Sequence, residues 1–211
     1  MGQFNALFSM RDHPIPPVTE PFQFRAIGLV RGIYRPSNSE QFTRGCLVDP
    51  DGLELEAVVL GRVMTLMRRH LEIDKPHLWV VYPRCRELGH LHLQVSGIWE
   101  PSTLERSLQE NAPTEKILND SLPEGDDYFS IRGELIFTKP AHAELVIKVR
   151  QQNKFDGSRR LPFKLQLRGE IPLKLLRQFV SLEVRRKGQD LFLESYELIG
   201  SMPMRGGSSK R

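Results

Sequence analysis

One order of elements, met twice in succession, limits this chain more than any other feature. Residues 22–34 (FQFRAIGLVRGIY), 42–48 and 53–58 carry β-rich or alternating apolar patterning. Turn compositions, Arg35-Pro36-Ser37-Asn38-Ser39 and Asp49-Pro50-Asp51-Gly52, separate them. From Val59 the period lengthens, and Val59, Val63, Leu66, Met67 and Leu71 make a helical stripe with Arg62, Arg68 and Arg69 largely on the other side. Two more strands follow, 77–82 and 91–99. The same order then recurs as strands at 128–137, 144–150 and 161–171, a short helical stretch at 173–177, and strands at 179–185 and 191–198. Each set opens on Phe-x-x-x-Gly (Phe24 to Gly28, Phe129 to Gly133) and closes on a basic hairpin. Such a repeat calls for two similar cores rather than one.

Three strands, a helix and two strands is the order of an OB-fold, a small Greek-key barrel. The expected fold is mainly β: two tandem OB-like five-stranded barrels, with one amphipathic helix in the first. Regularly spaced short strands also fit a single continuous β-sandwich. The element order and the section VIKVRQ…PFKLQLRGEIP resemble tandem OB-fold proteins of the single-strand nucleic-acid-binding kind. The sections GLVRGIYRP, AVVLGRVMTLMRRHLEIDKPHLWVVYPR and LHLQVSGIWEP resemble a family of uncharacterised cyanobacterial proteins across most of residues 22–200. The first resemblance implies an oligonucleotide ligand only loosely, since the same barrel also binds proteins and sugars.

The expected organisation is an extended Pro-rich arm (1–21), a first barrel (22–100), an acidic linker (101–126), a second barrel (127–200) and a flexible basic tail (201–211). The linker offers short helical possibilities around 104–108 and 115–118. Formal charge sharpens this division. The 211 residues carry a net +4, yet residues 1–100 are neutral, residues 101–126 carry −4, and residues 127–211 hold seventeen basic against nine acidic groups. An asymmetry of that kind points the second barrel toward a polyanion. Residues 1–21 lack the basic and apolar regions of a signal peptide, and no run approaches the length of a membrane span. Cys46 and Cys85 make no disulfide framework, so a reducing cytoplasm is the expected compartment.

Motifs for hydrolases, nucleotide loops and zinc are absent, and neither an enzyme nor a cofactor is expected. The weak exception is His77, His90 and His92, which alternation places on one side of a hairpin and which would form a metal site only by converging on one point. Glu54/Glu56 and Glu194/Glu197 read as solvated faces.

The basic second barrel carries the stronger signal. If Leu145, Ile147, Val149, Phe163, Leu165 and Leu167 fill its interior, then Lys148, Arg150, Lys164, Gln166 and Arg168 share the outer face of its second and third strands. OB-folds bind oligonucleotides there. The connecting loop QQNKFDGSRR adds Lys154, Arg159 and Arg160 around Phe155. Cations along a strand path with a stacking ring suit single-stranded RNA or DNA. Outward Lys and Arg also guard barrel edges as ordinary solvated groups, and no second aromatic is expected on the outer face of these two strands. The neutral first barrel offers the alternative, a protein-docking or assembly surface built on Arg62, Arg69 and Trp79, although core packing is the commoner fate of a tryptophan.

Overall fold

Both sets of elements close into five-stranded barrels. The computed structural model describes residues 13–38, 42–85, 87–100, 120–151, 157, 158 and 160–202. The first barrel comprises β1 (Arg25–Pro36), β2 (Arg44–Val48), β3 (Glu54–Val59), the helix α1 (Gly61–His70), β4 (His77–Cys85) and β5 (Leu91–Trp99). Its strands neighbour one another in the order β2-β3-β5-β4-β1, and β1 pairs β2 to close the ring. The second comprises β6 (Tyr128–Lys139), β7 (Glu144–Val149), β8 (Phe163–Arg168), β9 (Gln178–Lys187) and β10 (Asp190–Ser201), ordered β6-β7-β8-β10-β9 and closed by β6 on β9. Among the described residues β3 pairs with β5 in parallel in the first barrel, and β8 with β10 in the second, as a Greek-key closure requires. In the second barrel a short 3-10 turn, Leu173–Leu175, stands in the helix position. Ring closure in both halves excludes the continuous sandwich.

A small barrel needs its first strand to serve two neighbours, and a glycine permits the change of partner. Gly28 to Gly32 pair with β4, while Ile33 to Pro36 pair with β2. At Gly32 a Cβ would lie 2.6 Å from the Val48 carbonyl oxygen. At Gly133 in β6 it would lie 2.6 Å from the Lys148 carbonyl oxygen and 2.7 Å from Ile147 Cγ2. The equivalent glycines are therefore Gly32 and Gly133. The Phe-x-x-x-Gly motif had matched Gly28 to Gly133, but Gly28 lies within the ladder opposite Val81.

Within the first unit, Val30, Tyr34, Leu47, Leu55, Trp79 and Leu93 form the interior, and Val63 and Met67 turn the buried side of α1 onto it. Tyr34 Oη donates to the Phe42 carbonyl at 2.8 Å. Burial pushes that hydroxyl's pKa up to about 12, with Cys46 adding to the shift. A satellite cluster joins Ile15 to Ile27, Leu29, Leu78 and Val80, so the N-terminal segment contributes to the core through Ile15. The second unit is filled by Phe129, Ile131, Leu135, Leu145, Ile147, Leu165 and Leu167 among others.

Among the described residues, the first unit draws on stretches within Met1–Val18, Ile27–Pro83 and His92–Tyr128. The second draws on Thr19–Ala26, Arg84–Leu91 and Phe129–Arg211, so it takes in two segments that precede β6 in the chain. The short helical possibilities in the linker, around 104–108 and 115–118, and the tail from 203 lie outside the described residues. No described helix is long and apolar enough to cross a membrane.

Candidate nucleic-acid interface

Strand register builds the outer face of the second barrel row by row. On β6, β7 and β8, Glu134 faces Lys148, which faces Lys164. The next outward row is Phe137, Val146 and Gln166, and the third is Lys139, Glu144 and Arg168. Registered antiparallel neighbours point to the same side, with Cβ atoms about 4.5–5.5 Å apart. Lys148, Lys164, Gln166 and Arg168 therefore share one surface, as the alternation predicts. Arg150 continues the β7 sequence two residues past Lys148 and lies over the Phe24 ring, 5.3 Å from its centroid. Arg160 is exposed at the entry to β8, whereas Lys154, Phe155 and Arg159 lie outside the described residues.

Phe137 is the member of this face that alternation misses. Strict alternation from the outward Glu134 would turn Phe137 inward. A bulge between Leu135 and Phe137 absorbs one residue and reverses the side, leaving Phe137 44% exposed beside Val146. The face thus presents an aromatic ring, an amide at Gln166 and cations on both flanks.

Two of the cations are balanced. Lys148 Nζ lies 3.4 Å from Glu134 Oε2. Arg168 Nε donates to Asp190 Oδ2 at 2.8 Å, and that hydrogen bond, with the attraction of the carboxylate, raises the Arg168 pKa. The Gly89 amide donates to the other oxygen of Asp190 at 2.6 Å. Lys164 is exposed and makes no ion pair among the described residues. Opposed Lys148 and Lys164 repel across the ladder. Glu134 relieves part of that repulsion, and a phosphate would relieve the rest.

The corresponding face of the first barrel differs in sign. On β2 and β3 its outward pairs are Arg44 with Val58, Cys46 with Glu56, and Val48 with Glu54. Two exposed glutamates in adjacent pairs disfavour a polyanion there. Burial raises the Cys46 pKa, with Glu54 adding to the shift and Arg35 opposing it.

The remaining candidate residues separate. Trp79 corrects its assignment to a docking surface: it is completely buried, and its Nε1 donates to the Gly32 carbonyl at 2.8 Å. The ring is core because the β4 residues Leu78 to Val81 are all buried. Arg62 and Arg69 lie on α1, with side chains outside the described set. The histidines do not converge. Buried His77 has Nδ1 2.9 Å from Glu100 Oε2 and Nε2 2.8 Å from the Glu72 carbonyl oxygen, so both ring nitrogens are engaged. Glu100 follows the end of β5 whereas His92 lies at its start, a separation of about 25 Å at ~3.3 Å per residue. His90 is exposed in the hairpin that precedes β5. No group of three potential metal ligands occurs among the described residues.

Two family models match the sequence, in the two regions that form barrels. One, described as the N-terminal OB-fold domain of the PatR RNA-binding protein, matches residues 26–106. The other, a cyanobacterial OB-fold-like RNA-binding domain, C-terminal, matches residues 131–200. No curated protein matches the sequence.

Proposed function

The chain belongs to the tandem OB-fold family of the PatR RNA-binding type, and from that premise we propose that it binds single-stranded RNA, without catalysis, through the outer face of its second barrel. The observation that carries this reading is the pair of neighbouring rows, Phe137–Val146–Gln166 and Glu134–Lys148–Lys164. An exposed ring supplies a stacking platform, worth ~1–3 kcal/mol per base, and the lysines supply phosphate contacts. Arg150, Arg160 and Arg168 extend the cationic path, and Lys154, Phe155 and Arg159 in the β7–β8 loop add the same two chemistries. Gln166 is the neighbouring amide through which an unstacked base would be hydrogen-bonded at its edge.

The acidic row on the first barrel supports assigning the strand to the second. A single strand fits better than a duplex, because a ring in the middle of a strand face is reached only by an unstacked base. The test is fluorescence anisotropy of the full chain with a labelled single-stranded 20-mer at two salt concentrations, with DNA of the same sequence as a second arm. Binding at low salt that weakens steeply as salt rises is the expected result. No binding at low salt overturns the proposal, and equal binding of DNA removes its restriction to RNA.

A further inference from the structure

The segment Thr19–Ala26 lies outside the five strands of the second barrel, yet it is fastened to that unit at several points. Phe22 and Phe24 both meet the buried Phe179 ring edge-on, at centroid distances of 5.4 and 5.0 Å. Arg132, itself buried, donates through Nη2 to the Pro21 carbonyl at 2.6 Å and through Nε to the Gln23 carbonyl at 3.3 Å. Arg25 Nη2 donates to Ser130 Oγ at 2.6 Å. Satisfying Arg132 accounts for the two carbonyls. It does not account for the Phe24 ring, which stands between Phe179 and the Arg150 guanidinium.

We infer that Phe24 is a positioning residue of the nucleic-acid surface: its ring, seated on Phe179, holds Arg150 beside the Lys148–Lys164 row. The inference rests on the proposed RNA face. An arginine at the end of a strand has several rotatable bonds, and an aromatic face beneath its guanidinium restricts them while leaving its charge intact. The segment 19–26 then belongs to the binding surface as well as to the packing of the unit.

The test uses the full chain and a labelled single-stranded RNA 20-mer, with affinity measured across a salt series for wild type, F24L, F24Y, R150M and F24L/R150M. F24L keeps an apolar side chain and removes the ring face, and F24Y keeps the ring. The expected result is that F24L weakens binding about three-fold or more and lowers the salt slope by ~0.7, the value of one phosphate contact on a single strand. F24Y retains the wild-type slope, and the double variant binds no worse than R150M alone. Wild-type slope and affinity in F24L, with R150M impaired, would overturn the positioning role while leaving the RNA face standing. Full additivity of F24L and R150M would overturn it as well. If F24L proves unfolded by circular dichroism, loss of the wild-type slope in folded F24Y or an unimpaired R150M overturns it. Absence of wild-type binding at low salt removes the RNA face itself, and this inference with it.

Discussion

Phe137 and Cys85 mark the two ways a side chain gains or loses a role in this protein. Phe137 is exposed where its strand neighbours are not, so its ring contributes little to the core. Phe137→Ala is expected to lower RNA affinity by about 1–3 kcal/mol while leaving stability within ~0.5 kcal/mol of wild type. Anisotropy and urea unfolding on the same sample separate the two quantities. Cys85 is the reverse case. Burial pushes its pKa from 9.0 to about 11, with Asp190 adding to the shift and a backbone hydrogen bond from Gln166 opposing it. The folded protein keeps this thiol protonated and shielded at neutral pH, so a disulfide reagent is expected to modify it only on unfolding. Between pH 9 and 11 the unfolded chain sheds a proton that the folded chain retains, so stability is expected to fall across that window. Equilibrium unfolding at pH 8 and pH 10 checks the sign.

At the scale of the element, Gly133 makes the sharpest case. A methyl group at that position would press on the Lys148 carbonyl and Ile147 Cγ2, forcing β6 away from β7. Gly133→Ala is expected to cost about 1–3 kcal/mol in urea unfolding and to weaken RNA binding, since it disturbs the strand pair that sets the Phe137 and Lys148 rows. The strands, their order and the outward lysines of β7 and β8 were legible in the sequence, because a period of two is a local property that survives whatever packs around it. Phe137 was not legible. One residue of bulge inverts the side of everything after it, and nothing in Leu135-Ile136-Phe137 marks where a bulge falls. Trp79 was legible only as two alternatives, since a strand buried on both faces has no alternation to read. The role of Phe24 depends on contacts with Phe179 and Arg150, which lie more than a hundred residues away in the chain. Such pairings become readable only once the barrel exists.

For the molecule as a whole, two copies of one topology have been given opposite surfaces. On its third strand the first barrel carries Glu54 and Glu56, where the second carries Lys164 and Gln166. The chain's uneven charge is therefore expressed on corresponding strands, and the proposed polyanion surface lies on the second barrel. In the proposed binding mode, phosphate contacts from the β7–β8 face supply the affinity. That mode is tested most directly by the salt dependence of RNA binding in the full chain, comparing wild type with a K148Q/K164Q double variant. The expected result is a linear fall of log affinity with log salt in wild type, and a slope smaller by ~1.4 in the double variant, at ~0.7 per lost contact. An unchanged slope and affinity in the double variant would contradict it.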